Sequence, residues 1–446
     1  MSQTPRYGLI TLTCVVIASM IGSGVFTTSG YSVASLGTPA RVLLAWLAGG
    51  VIAICGAVSY GELSRRLPVS GGEYLYLSRR LHPYFGFLAG WVSLTAGFSG
   101  AIAMAAITFE AYAVKALGPD WLPEHLAAAA VILIFGLGHA FVARATVGVQ
   151  NAVVIAKLAV LGVFLLVAAS KLGTHVWSWA GAAADGAATG AWSEIQLFAS
   201  SVMWISLSFA GFNAGIYIAS EVRDAERVVP RSLLIGTLLV TVVYLLLNAV
   251  FLTAVPVEQI REKRDIAAIA AAGLGGAPLE ALIRLAVSLG TLSSVAGMVM
   301  TGPRVFSRMA DDGLFPAYFC SGPDSTSRTV LLQTGIAVFL VYATDFRALL
   351  NYLSAVLALS SALTVSTLFI PERLVNGEQK LSKSGTISVW TGGAAFLYVV
   401  ATLITASLMA AHDPGNLKGA FWTIVSGTCL WVVATRWGRP KRERVT

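Results

Sequence analysis

The chain has 446 residues, of which 56% are hydrophobic and 12% charged, about half the charge of an ordinary soluble domain. So few charged groups cannot cover this much apolar sequence in water, which disfavours soluble enzymes and nucleic-acid binders and leaves an all-α, polytopic membrane protein. The net charge of +8 then reads as basic residues held in short loops on one side of a bilayer, with no nucleic acid as partner.

The apolar runs cover, in chain order, 8–36, 41–62, 84–117, 125–142, 147–170, 196–220, 231–254, 279–306, 329–344, 347–369, 386–410 and 420–436. They predict twelve transmembrane helices in one transporter-sized domain spanning 1–446. The first run follows a single basic residue, Arg6, as a signal peptide would, but it continues through Gly22-Ser23-Gly24 and many spans follow, so it reads as an uncleaved first helix. Twenty Lys and Arg fall in the segments on the side of both termini and eight on the other, with Lys157 and Arg284 inside spans. Both termini are therefore expected in the cytoplasm, with the chain in the cell membrane. The Ala/Gly-rich stretch Ala180–Ala191 and the charged stretch Val257–Asp265 fall outside, and neither carries a catalytic constellation. Cys14, Cys55, Cys320 and Cys429 have neither CxxC nor zinc spacing, so no disulfide framework, metal or cofactor is indicated.

Two spans are interrupted by glycine near their middle. The first contains Met20-Ile21-Gly22-Ser23-Gly24-Val25-Phe26 and the sixth contains Ser208-Phe209-Ala210-Gly211-Phe212-Asn213-Ala214-Gly215, five spans apart. Interruptions at corresponding positions of an inverted repeat mark the substrate site of several secondary transporters; the competing reading is that these glycines only allow close helix packing. A broken span suits a zwitterion. Amides around Ser23, Gly24 and Val25, at the positive end of the outer half-helix, would receive a carboxylate, and carbonyls of Met20, Ile21, Phe209 and Ala210 would accept an ammonium. No acidic residue lies near either break, so a substrate with a second positive charge would lack a counter-ion.

Lys157 lies about ten residues, or ~15 Å, into the fifth span. It either snorkels to the cytoplasmic surface or points inward and donates to carbonyls of the first break, standing in for a bound cation; the inward reading is preferred. Glu280 and Arg284 form an i,i+4 pair of structural character. Glu110 is read as a solvated helix end in preference to an entry vestibule, and Glu62, beside Arg65 and Arg66, receives no role in transport. The five histidines are dispersed, and no Ser/His/Asp spacing suggests an enzyme.

Four segments, in order, resemble the amino acid-polyamine-organocation (APC) superfamily of permeases, with the L-type neutral amino acid members nearest in pattern. They are Ile21-Gly22-Ser23-Gly24-Val25-Phe26; Pro68-Val69-Ser70-Gly71-Gly72-Glu73-Tyr74-Leu75-Tyr76; Glu221 to Arg231; and Arg308 to Pro316. In the second, Ser70 and Glu73 also fit a capping box. In the third, Ala225 and Asp224 replace the family's proline and asparagine. The resemblance implies a five-plus-five inverted-repeat (LeuT-like) fold, with repeats at 8–170 and 196–369, two added helices at 386–436, and helices one and six broken at mid-membrane. It also implies alternating-access transport of amino acids or related amines, often by exchange. Carried over by position, Ile21, Gly22, Ser23, Gly24, Val25, Phe209, Ala210, Gly211 and Asn213 would bind substrate, with Phe209 at or near a gate. Lys157 would occupy the place of sodium, which predicts sodium-independent transport. Asn213 and Met298 stand where arginine/agmatine exchangers carry an acid and an aromatic, and Ala101 replaces a polar residue, so a neutral substrate is expected over a basic amino acid or polyamine. A non-transporting sensor or a channel is the alternative from another class. Residues 116–125 contain no cysteine, so no disulfide-linked heavy subunit is expected as partner.

Overall fold

The computed structural model describes residues 7–68, 71–114, 122–141, 147–181, 190–320, 325–370 and 387–437. Among the described residues regular structure is helical, and strand pairing is limited to an isolated bridge between Tyr7 and Val222. Seven helices are long and apolar enough to cross a bilayer, or eight if one bent pair counts as a span, and three shorter apolar helices lie among them. The chain is a multi-pass membrane protein.

The bent pair is α1 (Leu9–Met20) and α2 (Gly24–Leu36), inclined by 42° across Ile21–Ser23. α3 (Pro39–Arg66) returns; Thr38 caps it by accepting the Arg41 N–H at 3.3 Å, and Pro39 occupies a first-turn site where no amide partner is needed. The short α4 (Gly72–Arg80) leads into α5 (Pro83–Val114), which widens into π-helix over Ser93–Gly100 and Glu110–Val114. α6 (Leu126–Phe141), α7 (Val147–Ser170) and α8 (Ala191–Ser208) follow. The irregular stretch 209–213 then leads to a 3-10 helix, Ala214–Glu221, and α9 (Ala225–Thr253). The remaining helices are α10 (Ile266–Asp311), α11 (Ser325–Ala343), α12 (Phe346–Ser366), α13 (Val389–His412) and α14 (Lys418–Trp437).

Element positions follow the apolar runs except at α10, which starts thirteen residues before the expected 279. Its first turns bury Ala267, Ala268, Ala270 and Ala271, and the helix is interrupted at Gly276 (φ 65°), just before Pro278. The apolar stretch 266–274 is too short to cross a bilayer by itself, yet it packs tightly. The preceding charged stretch does not form a free loop: Glu262 N–H donates to the Gly30 carbonyl of α2 at 3.0 Å.

On the face carrying the N-terminus, the family-like segments bind one another. Tyr7 exchanges backbone hydrogen bonds with Glu221 and Arg223 (3.2 and 3.0 Å), and the Tyr74 hydroxyl of α4 donates to Asp312 at 2.9 Å. Ser70 of the expected capping box lies outside the described residues; Gly71 holds the N-cap position of α4 without a side-chain cap, and the Glu73 carboxylate turns into the protein. Arg144 and the basic residues of 371–386 and 438–446 also lie outside the described residues.

Two clusters of ion pairs are structural. Glu62 pairs with Arg65 and Arg66 at 2.7 and 2.8 Å, and Arg284 pairs with both Glu280 and Asp265 at 2.8 and 2.9 Å. Glu110 is not a solvated helix end. It is buried and accepts the His125 and Ala128 N–H groups, each at 2.9 Å, so it caps the start of α6 from a neighbouring helix.

Candidate substrate site

The first break begins where α1 loses its helical geometry at Ile21 (ψ 79°) and ends where Ser23 resumes it. Ser23 has αR geometry, and α2 has no side-chain cap, so the amides of Ser23, Gly24 and Val25 form a helix start without an intrahelical acceptor. The second break turns at Gly211, whose φ of +103° is left-handed backbone that favours glycine. The two breaks touch. A Cβ on Gly24 would lie 2.8 Å from the Ser208 Cα, and one on Gly211 would lie 2.7 Å from the Ser19 carbonyl oxygen. The Thr28 and Ser208 hydroxyls meet at 3.1 Å, which ties α2 to the end of α8.

The exposed carbonyls are only partly free. Met20 O accepts the Gly22 N–H at 2.8 Å and the Tyr244 hydroxyl at 2.5 Å, with Tyr244 also 3.1 Å from Ser208 O. Phe209 O accepts the Phe212 N–H at 3.2 Å. The Lys157 ammonium donates to Ile21 O at 2.5 Å and does not snorkel; it is 5% exposed, and its stem lies against Gly290 of α10, where an added Cβ would sit 2.7 Å from the Lys157 Cδ. Of the four carbonyls named from sequence, that of Ala210 alone has no hydrogen bond within the described residues. The others retain at most their second lone pair.

Phe209 does not line the accessible surface in this conformation. Its buried ring packs 5.9 Å from Trp46 and 5.1 Å from Tyr244 between ring centroids. Behind it a polar chain runs from Trp46 Nε1 to Ser29 Oγ (2.7 Å), from Ser29 to Asn248 Oδ1 (2.5 Å), and from Asn248 Nδ2 to Tyr244 O (2.9 Å). Tyr244, Ser208, Thr28 and Asn248 were missed as site residues by sequence reasoning. The available signal was the polar atoms of Tyr244 and Asn248 inside the apolar run of α9, since buried polar groups need partners.

The partly exposed positions at the breaks are Gly22, Gly24, Ala210, Gly211 and Asn213, while Ile21, Ser23, Val25 and Phe209 are buried. Asn213 makes no side-chain hydrogen bond within the described residues. Access is asymmetric. In α2 every residue from Val25 to Leu36 is buried. In α1 the accessible positions are Leu9, Ile10, Thr11, Cys14, Val15, Ile17, Ala18 and Ser19, and the side carrying Thr11, Cys14, Val15, Ala18 and Ser19 leads toward Gly22 at the break. At the opposite face Tyr31 stacks on Phe346 at 5.4 Å under the Arg264 guanidinium, and Arg347 lies over Trp204. These contacts pack α2, α8 and α12 together at that face, which we read as the closed one.

The chain is similar to known amino acid transporters. The large neutral amino acids transporter small subunit 2 of Homo sapiens is 27% identical over 369 residues, covering 80% of this chain and 68% of that protein. The b(0,+)-type amino acid transporter 1 of Mus musculus is 26% identical over 383 residues, covering 83% and 76%, and the Asc-type amino acid transporter 1 of Mus musculus is 24% identical over 376 residues, covering 81% and 69%. These relatives and the family are transport proteins, not enzymes. The amino acid permease model matches residues 7–433: the chain belongs to the amino acid permease family, within the APC superfamily.

Proposed function

We propose that this protein is a secondary active transporter that moves neutral L-amino acids by alternating access, as a sodium-independent exchanger. The observation that carries the reading is the pair of breaks in contact, with bare amides at Ser23–Val25 and, among the described residues, no partner for the Ala210 carbonyl and no carboxylate beside them. A substrate carboxylate would sit at the start of α2, where the amides and the helix dipole favour negative charge. Its ammonium would meet Ala210 O and the remaining lone pairs of Ile21 and Phe209. Gly22, Gly24 and Gly211 let the substrate approach the backbone, and Asn213 would contact the side chain without selecting for positive charge. The Lys157 ammonium supplies at Ile21 O the charge that a bound cation would supply, which makes external sodium unnecessary.

Twelve spans in two inverted five-helix repeats, 8–170 and 196–369, followed by two further helices, accommodate the elements described, and the excess of Lys and Arg places both termini in the cytoplasm. The face closed by Tyr31–Phe346 and Arg347–Trp204 is then extracellular and the accessible side of α1 faces the cytoplasm. One relative is named a small subunit; for this chain we expect function without a disulfide-linked heavy subunit. Reconstituted vesicles preloaded with amino acid test the reading. Neutral amino acids should drive exchange and compete, without a requirement for a sodium gradient, while arginine, lysine and putrescine should not compete. Competition by the cations alone would refute the neutral assignment, and flux without saturation would indicate a channel.

A further inference from the structure

Glu73 of α4 is a buried carboxylate outside the site described above. Tyr60 of α3 donates to its Oε1, Ser361 of α12 donates to the same oxygen at 2.7 Å, and Ser360 donates to Oε2 at 2.8 Å. It makes no ion pair within the described residues, so three hydroxyl donors compensate the buried charge, an arrangement that is costly unless fully satisfied. The groups facing it are Tyr60 from α3, Ser360 and Ser361 from α12, Tyr217 of the 3-10 helix, whose ring crowds Gly72, and Tyr398 from α13.

Tyr60 has a second neighbour. Its ring meets Phe212 edge-to-face at 5.5 Å, and Phe212 also meets Tyr398 at 6.2 Å. Phe212 belongs to the second break, directly after Gly211. A continuous chain therefore runs from the break through Phe212 and Tyr60 to Glu73 and on to α12. A shift of the break large enough to move Phe212 displaces the Tyr60 hydroxyl and strips a donor from a buried charge. Hydroxyl bonds to a charged acceptor are strong, so losing one leaves the buried carboxylate under-satisfied at a cost.

We propose that Glu73 is a positioning residue for transport, a latch that joins the second break to α12 and stabilises the conformation closed at the face opposite the N-terminus. This rests on the transport reading above. Because the cage is intact in the closed conformation, weakening it shifts the population toward the alternative, in which the opposite face is open. Apparent affinity scales with the population of the competent state, so KM for substrate falls at the opposite face and rises at the N-terminal face.

The test measures neutral amino acid uptake, with radiolabelled leucine as probe, in intact cells and in inside-out vesicles. Tyr60→Phe keeps the ring on Phe212 and removes the donor; Glu73→Gln removes the charge; the Ser360→Ala/Ser361→Ala pair removes the remaining donors. Each should change the ratio of the two KM values by about tenfold in the stated direction, in keeping with the strength of a hydrogen bond to a charged group. Tyr60→Phe combined with Glu73→Gln should do little more than either alone. A fall in maximal rate with both KM values unchanged in Tyr60→Phe and in the serine pair, whether or not Glu73→Gln folds, would overturn the latch. Failure of the wild type to take up or exchange any neutral amino acid would instead overturn the transport reading itself.

Discussion

Replacing Lys157 by methionine separates its two contributions at the first break. Methionine keeps most of the stem volume against Gly290 and removes the ammonium that donates to Ile21 O at 2.5 Å. A hydrogen bond from a charged donor contributes about 1.5–3 kcal/mol net, but removing a buried ammonium also removes its desolvation cost. The two effects oppose one another in global stability, so the variant should fold and melt within a few degrees of the wild type. They do not cancel at the break, where Ile21 O loses the group that fixes its direction and the α1–α2 junction relaxes. A loss of about 2 kcal/mol of positioning corresponds to roughly a 30-fold fall in transport efficiency. Gly290→Ala should reproduce the defect with the lysine present, because its Cβ would lie 2.7 Å from the Lys157 Cδ and displace the stem. Uptake kinetics in proteoliposomes, read beside a melting curve in detergent, are the assay. Wild-type transport by Lys157→Met would refute the assignment of a working role to the ammonium, leaving it a packing residue.

Other substitutions probe separate contacts. Gly24→Ala would bring a Cβ to 2.5 Å from Ser208 Oγ and 2.8 Å from its Cα; this overpacking should cost about 1–3 kcal/mol and abolish exchange, and retained exchange would mean that the breaks need not touch. Asn213→Asp should let arginine and putrescine compete for uptake, and an unchanged competition profile would remove Asn213 from the specificity argument. Glu110→Ala leaves the His125 and Ala128 amides without their acceptor, so the melting temperature in detergent should fall by the equivalent of about 1–3 kcal/mol while KM stays constant. A change in KM would show that Glu110 communicates with the site.

Much of the architecture is legible in the sequence because a bilayer enforces simple rules: an apolar run must be helical, and irregular backbone inside it must be buried or line a cavity. Hence most helix positions could be read from hydropathy, while the glycine pairs marked the places of both breaks without separating a break from close helix packing. Lys157 was readable too, since an ammonium at that depth needs an acceptor and a broken helix provides one. The failures share a cause. Glu73 satisfies the local spacing of a capping box, and Glu110 resembles an exposed helix end, but in both cases distant donors compete for the carboxylate. Three hydroxyls from α3 and α12 take Glu73, and two amides at the start of α6 take Glu110. A buried carboxylate goes to the set of donors that satisfies it most fully, and local spacing records only the nearest candidates.

The same reasoning explains why the carbonyls available to an ammonium number fewer than a bare broken helix would offer. Each interruption exposes acceptors that apolar surroundings cannot satisfy, so the fold supplies internal donors: Tyr244 for Met20, Lys157 for Ile21 and the following turn for Phe209. Of the four carbonyls, that of Ala210 has no donor among the described residues, and it lies beside the partly exposed Gly211 and Asn213. These internal bonds hold the breaks open in the absence of substrate, so binding need not supply the cost of unwinding the helices. On the proposed reading, the substrate would be selected by what remains unsatisfied, a row of amides on one side and a neutral acceptor surface on the other, a set that would suit a single carboxylate and a single ammonium and offer nothing to a second positive charge.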